Sequence, residues 1–475
     1  MKTLHTDVAI IGTGTAGMNA YRAARAAGKR ALVIESGVYG TTCARVGCMP
    51  SKLLIAAAEA AHAIGEAPGF GVHVDGKVRI EGTEVMNRVR SERDRFVGFI
   101  LDAVGSYPEE DKLKGYAKFK SDTVLDVDGH TEVHAQSVVI ATGSSPVVLD
   151  MFKPLGDRLI VNDDVFDWTD LPRRVAVYGP GVIGLELGQA LSRLGVHVRM
   201  FGVQGLLGGL NDPQVRDVAL KAFQDEFYLD TDAKTEKLER IGDEVEITYI
   251  DLEGKRAVER FDYVLVATGR SPNVRGLALE NTSLELDARG VPVFDRTTMQ
   301  AGKSSIFIAG DANNTVPLLH EASDEGRIAG ENAANFPKVK PGHRRAPMGV
   351  VFCDPQLASV GRNFSQLQEG SFVIGEVSFE DQGRSRVMRK NRGMLHVYAD
   401  SQTGEFLGAE MMGPAAEHIA HLLAWTVQQR LTVAQMLDMP FYHPVIEEGL
   451  RTALRDAQAK LDAVQAAKGV SKAVA

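Results

Sequence analysis

A chain of 475 residues, 44% hydrophobic and 24% charged, exceeds what one core of ordinary size holds, so two to four domains at the scale of an enzyme are expected. Its formal charge of −9 argues weakly against nucleic acid or an anionic membrane as main partner, and no apolar run approaches the roughly 20 residues that span a bilayer. Cys43, Cys48 and Cys353 are the only cysteines, too few for a secreted disulfide framework, and an apolar strand starting within a few residues of Met1 makes a cytoplasmic protein the expectation.

The first unit is "DVAIIGTGTAGMNAYRAARAAGKRALVIE": an apolar strand, Gly12-x-Gly14-x-x-Gly17, an Ala-rich helix, and a second strand ending in Glu35. In such a unit the first glycine permits a tight turn, the second lets backbone approach a pyrophosphate, and the third lets helix and strand pack closely. The helix N-terminus offers free N–H groups to the phosphates. Glu35 stands where a carboxylate accepts the hydroxyls of an adenosine ribose, so FAD or NAD fits. Next comes "GTTCARVGCMPSKLL", with Cys43 and Cys48 spaced C-x₄-C and a helix predicted from near Pro50. Proline is favoured in a first helical turn, and the helix dipole there favours a thiolate at Cys48. Zinc would need more ligands in a recognisable spacing, so no metal is expected and a redox-active dithiol is the preferred reading, ahead of two inert buried cysteines.

The strand "SVVIATGSSP" then ends in Ala141, Thr142 and Gly143. "RVAVYGPGVIGLELGQALSRLGVHVRMFG" repeats the opening plan with Gly179, Gly181 and Gly184; one such motif is weak evidence, two in strand-turn-helix context are not. Its second strand ends in Gly202 where the ribose acid would sit, and no Arg pair for a 2′-phosphate follows, so NAD and NADP both stay open. A second Ala-Thr-Gly closes at Gly269, and "SIFIAGDAN" places Asp311 at a strand's C-terminal edge, where an acid can reach a cofactor hydroxyl. Past Ala346 come shorter strands, "PMGVVF" and "GMLHVYAD", then helices from Ala415, with an Ala/Lys-rich tail after Ala457 expected to fray. In "FYHPVIEE", His443 precedes Pro444 and Glu448 lies five positions on. Dithiol oxidation needs a base and imidazole titrates near neutrality, although on the residues alone a structural histidine is the readier reading.

The whole pattern predicts an α/β protein of two nested Rossmann-like dinucleotide-binding domains plus a C-terminal α+β domain. Residues 1–150 and 271–345 would form the FAD-binding domain, 151–270 the NAD(P)-binding domain, and 346–475 the interface domain.

Together "CARVGCMPSK", both glycine fingerprints, both Ala-Thr-Gly turns, "IFIAGDA" and "FYHPVIEE" resemble the pyridine nucleotide-disulfide oxidoreductase family, and within it the dihydrolipoyl dehydrogenases, from Asp7 to about Asp456. The resemblance implies FAD at the first site and NAD, with NADP not excluded, at the second. It implies Cys43 as the interchange thiol, Cys48 as the thiolate against the flavin, Lys52 paired with Glu186 beside flavin N5, and Asp311 at the ribityl or pyrophosphate region. It further implies a homodimer through the C-terminal domain, with His443, oriented by Glu448, serving the cysteine pair of the other subunit. A lipoyl dithiol, free or protein-bound, is the implied substrate, and docking to a 2-oxo acid dehydrogenase complex a further expectation.

Departures from the family pattern bear on detail. "GTTCARVGC" replaces the usual "GGTCLNVGC", and Arg45 either lowers a thiol pKa or points into solvent. Tyr442, Val445 and Glu447 differ from the usual neighbours of the histidine and bear on substrate shape. Gly202 keeps an NADPH-dependent disulfide reductase, of the glutathione reductase kind, as a rival. Mercuric reductase is less similar because the tail "GVSKAVA" has no cysteine pair. A transhydrogenase of this fold would need no cysteine pair, and a non-catalytic flavin-bound subunit would not need Cys43, Cys48, Lys52, His443 and Glu448 together.

Overall fold

The structure, a computed structural model, describes residues 2–474, with side chains through residue 467. Strand β1 (Lys2–Ile11), helix α1 (Thr15–Ala26) and strand β2 (Ala31–Glu35) form the opening unit. β1 pairs in parallel with β2 on one side and on the other with a long strand, Thr131–Ile140. The central residues Val8, Ala9 and Ile10 are fully buried, as expected where both faces of a parallel sheet are covered and a strand reads as an unbroken apolar run. The far edge of Thr131–Ile140 is shared: an antiparallel hairpin strand, Val124–Val127, takes its first half and Ile306–Ile308 pairs in parallel with its end. Residues far along the chain thus complete the first sheet. Helix Leu319–Asn335 packs on α1 at very short range, because a Cβ on Gly326 or Gly330 would fall 2.2 or 2.4 Å from the carbonyl oxygens of Ala16 and Ala20.

Between these two contributions lies a second parallel sheet, in the order Tyr228–Asp230, His197–Phe201, Arg174–Tyr178, Tyr263–Val266, Leu159–Ile160. A three-stranded antiparallel meander over Lys234–Ile241, Glu244–Ile250 and Arg256–Phe261 is inserted before its fourth strand in that order. Strands Ser144–Pro146 and Arg270–Pro272, each just after an Ala-Thr-Gly turn, pair antiparallel as the two crossings between the sheets. The third unit is a five-stranded antiparallel sheet from Met348–Val351 to Phe406–Gly413. Its core joins Val397, Ala409 and Met411 to Ile419 and Leu423 on helix Ala416–Gln428 and to Leu450 and Leu454 on the C-terminal helix.

The architecture is two nested Rossmann-like dinucleotide-binding folds followed by an α+β domain. Two local expectations change. The helix expected from near Pro50 begins at Cys48 and runs to Glu66, and Cys43 sits in its own short turn of helix, Thr42–Val46. The tail expected to fray after Ala457 continues the last helix, Glu447–Val474, with Leu461 packed into the third core. Among the described residues no helix is long and apolar enough to cross a membrane.

Candidate active site

The two glycine turns are built alike. Gly12 has φ +106°, and a Cβ on it would lie 2.4 Å from the Ala141 carbonyl oxygen, so only glycine fits between turn and Ala-Thr-Gly strand. A Cβ on Gly17 would sit 2.0 Å from the Gly12 oxygen, which is the close helix–strand packing. Gly14, the N-cap of α1, has nothing within 4 Å and leaves the helix mouth clear. Gly179 repeats the first role, 2.4 Å from the Ala267 oxygen, Gly184 the second, 1.9 Å from the Gly179 oxygen, and Gly181 the third, with open space around it. Gly143 and Gly269, with φ of +68° and +111°, also face open space.

The groups around the first turn suit FAD. Glu35 closes β2 and accepts hydrogen bonds from the Thr13 amide and hydroxyl at 2.9 and 2.8 Å and from the Gly37 amide at 2.9 Å. The Thr142 hydroxyl beside the turn is buried with no protein partner, a group that a bound polar molecule can satisfy. Asp311 accepts from Ser144 Oγ at 2.7 Å, and Arg270 donates to that same Oγ at 2.8 Å. The acid thus lies where the chain crosses between the sheets.

Cys43 and Cys48 are free thiols, the first half-buried and the second exposed. Thr41 accepts from the Ala44 amide at 3.2 Å and starts the turn that aims Cys43 at Cys48. The hydrogen bond from the Cys43 thiol to Cys48 splits the pair: it raises Cys43 and brings Cys48 down to about 7, opposed by desolvation and helped by the Lys52 charge. Lys52, one helical turn after Cys48, holds Glu186 with both oxygens at 2.7 and 2.9 Å. Ser51 Oγ, at 3.3 Å, and the Phe352 amide, at 3.0 Å, also donate to this carboxylate, and the Lys52 ammonium lies 4.5 Å from the Phe352 ring centre. Glu186 is only 4% exposed, so its carboxylate is buried with three donor groups making four hydrogen bonds to it, as a buried carboxylate requires. Cys353, next to Phe352, is buried, and burial pushes its thiol up.

Arg45 does neither of the things expected of it. Its guanidinium turns back to the carbonyls of Val38 and Tyr39, at 3.4 and 3.1 Å, and closes the loop before the first cysteine. The cation that acts on Cys48 is Lys52.

His443 and Glu448 form a second centre. His443 Nδ1 is 2.9 Å from Glu448 Oε2, whose other oxygen accepts from Arg451 at 2.7 Å. Desolvation pushes the Glu448 carboxyl up, but hydrogen bonds from His443 and the Val445 amide outweigh it and hold the carboxyl below its ordinary range. The ring is 80% exposed, Tyr442 beside it 79%, and among the described residues no hydrogen bond joins His443 to either cysteine. Sequence reasoning missed Thr13, Ser51 and Phe352; each is unremarkable locally and acts through a partner distant in the chain, or, for Thr13, between two glycines.

Residues 6–326 match the pyridine nucleotide-disulphide oxidoreductase family, and residues 348–454 its dimerisation domain. The chain is 30% identical to a dihydrolipoyl dehydrogenase of Thermus scotoductus over 95% of this chain and 97% of that one. It is 28% identical to a mercuric reductase of Staphylococcus aureus over 94% of this chain and 81% of that one. Among solved structures, the HOCl-induced flavoprotein disulfide reductase RclA of Escherichia coli shares the fold at a TM-score of 0.79 and 23% identity, over 94% and 99% of the two chains. LpdA of Mycobacterium tuberculosis does so at 0.80 and 24%, over 96% and 99%. A dithiol of split acidity set between two dinucleotide folds, matched from end to end by these relatives, has one explanation: the chain belongs to the pyridine nucleotide-disulphide oxidoreductases, flavoproteins that use FAD and NAD(P)H.

Proposed function

We propose that the protein oxidises dihydrolipoyl groups with NAD⁺ through Cys43 and Cys48, as a cytoplasmic homodimer. The observation that carries the reading is the unequal thiol pair: Cys48 is favoured as thiolate by the Cys43 hydrogen bond and by Lys52. A thiol of low pKa leaves fast from a disulfide. With the pair oxidised, a substrate thiolate attacks Cys43 Sγ, the Cys43–Cys48 bond breaks, and Cys48 leaves as thiolate. The second substrate thiol gives its proton to His443 and attacks the substrate sulfur of the mixed disulfide, releasing Cys43 with its electron pair and leaving the substrate oxidised. FAD, when bound, would supply the two-electron acceptor for the reduced Cys43–Cys48 pair, with the nicotinamide cofactor as the final acceptor.

Gly12, Gly14, Gly17, Glu35, Thr142 and Asp311 would hold the FAD, and Gly179, Gly181 and Gly184 the nicotinamide cofactor. Lys52 and Glu186 fix a single charged pair beside the dithiol. His443, turned outward on a dimerisation domain with its ring oriented by Glu448, serves the cysteine pair of the second subunit. The lipoyl group is carried free or on a partner of a 2-oxo acid dehydrogenase complex.

The test is anaerobic turnover with dihydrolipoamide and NAD⁺, set beside oxidised glutathione and NADPH. Reduction of NAD⁺ with the first pair alone is expected. Turnover with the second pair alone would overturn the dihydrolipoyl assignment and leave a reductase of another disulfide.

A further inference from the structure

The two dinucleotide folds repeat the same backbone hydrogen bond at their glycine turns. In the first, the Gly12 amide donates to the Ile34 carbonyl at 2.8 Å, and the next residue is the acid, Glu35. In the second, the Gly179 amide donates to the Phe201 carbonyl, also at 2.8 Å, and the next residue is Gly202. The exchange is paired. Thr13, which gives Glu35 both its amide and its hydroxyl, corresponds to Pro180, which has no amide hydrogen. A Cβ at position 202 would lie 2.6 Å from Pro180 Cγ, so no acid enters from this strand.

One donor of the first site nevertheless survives. Two residues past Glu35, the Gly37 amide donates to Glu35 Oε1 at 2.9 Å. Two residues past Gly202, the Gln204 amide donates to a carboxylate as well, Asp232 Oδ1, at 3.2 Å. Asp232 arrives from the turn after the neighbouring parallel strand, Tyr228–Asp230. That turn is fastened to the loop: the Gly205 amide donates to the Thr231 carbonyl at 3.0 Å, and the Ala233 amide to the Gly202 carbonyl at 2.9 Å. The side chain is exposed, and among the described residues no hydrogen bond occupies its other oxygen, which leaves that oxygen to accept a ligand hydroxyl.

We propose that Asp232 is the ribose-reading carboxylate of the second site, delivered from the adjacent strand, and that it selects a dinucleotide with a free 2′-hydroxyl. It rests on the reading that this fold takes a nicotinamide dinucleotide. Segment 202–212, "GVQGLLGGLND", contains no Lys or Arg to neutralise a 2′-phosphate, and the Asp232 charge opposes one. A carboxylate accepting hydroxyl hydrogens makes the charge-assisted kind of hydrogen bond.

Calorimetry on the FAD-loaded protein with ADP-ribose and with 2′-phospho-ADP-ribose reads the adenosine end directly, without turnover. The wild type is expected to bind ADP-ribose at least about tenfold more tightly than its 2′-phosphate, the effect of one charge-assisted contact. Asp232→Asn is expected to shrink that ratio severalfold and Asp232→Lys to reverse it, both at unchanged thermal midpoint because the side chain is exposed. Equal binding of the two ligands to the wild type, or an Asp232→Asn loss of the same factor for both, overturns the proposal and leaves dinucleotide binding at this fold intact. Binding of neither ligand, together with no oxidation of NADH or NADPH, overturns both.

Discussion

Putting the acid back into the second fold tests whether positions 180 and 202 were exchanged as a pair. In Gly202→Glu the new Cβ would lie 2.6 and 2.8 Å from Pro180 Cγ and Cδ and 3.1 Å from Thr231 Cα, where carbon atoms rest at about 3.5–4.0 Å. A proline ring cannot swing aside, so backbone must move, and overpacking of this kind costs about 1–3 kcal/mol. For a domain of this size that is a fall in thermal midpoint of about 2–12 °C. Pro180→Thr restores the amide and hydroxyl that Thr13 offers Glu35 at 2.9 and 2.8 Å, so the double variant should regain more than half of the loss, a coupling of about 1–2 kcal/mol. Scanning calorimetry on wild type, both single variants and the double variant gives the cycle. A Gly202→Glu protein as stable as the wild type, or strictly additive effects, would refute the paired exchange.

Cys43→Ala removes the leading cause of Cys48 acidity, and the sign follows: a lowered pKa keeps the thiolate to lower pH, so the variant's ionisation must move in the alkaline direction. Iodoacetamide labelling of Cys48 in the reduced protein, read peptide by peptide, should be half-maximal near pH 7 in the wild type and at higher pH in the variant; coincident profiles would count against the hydrogen bond. If His443 serves the opposite subunit, co-refolded Cys43→Ser and His443→Gln chains should regain about a quarter of wild-type activity, since random pairing makes half the dimers mixed and each mixed dimer keeps one complete site. No recovery above the parent variants would place the histidine in its own subunit's site. Gly17→Ala, with its methyl 2.0 Å from a carbonyl oxygen, should lower both thermal midpoint and flavin content. Gly14→Ala, with open space around it, should lower flavin content alone.

The glycine turns were legible because their requirement is local: Gly12 and Gly17 face backbone atoms a few residues away or on the adjoining strand, and nothing larger fits. The cysteine pair was legible for the same reason of spacing. Arg45 was not, because proximity in the chain does not fix direction, and two carbonyls of its own loop claim the guanidinium. The meander over Lys234–Phe261 escaped notice because its first strand, "KTEKLERI", has no buried residue and so no apolar alternation. Asp232 lies in an exposed turn whose local pattern carries no signal, and it stands out only once the Gln204 amide is matched to the Gly37 amide.

The partners of Glu186 come from separate parts of the chain: Lys52 and Ser51 belong to the helix that begins at Cys48, Phe352 to the entry of the C-terminal domain, and Glu186 itself to the helix that opens at the second glycine turn. One carboxylate therefore rivets all three parts of the molecule at a single point. A chimera that borrowed the second fold from a relative with a different nucleotide preference would have to preserve that rivet, however cleanly the segment could be cut at Ser144–Pro146 and Arg270–Pro272. Exchange of the nucleotide half is thus a problem of joinery at residue 186 before it is one of cofactor recognition.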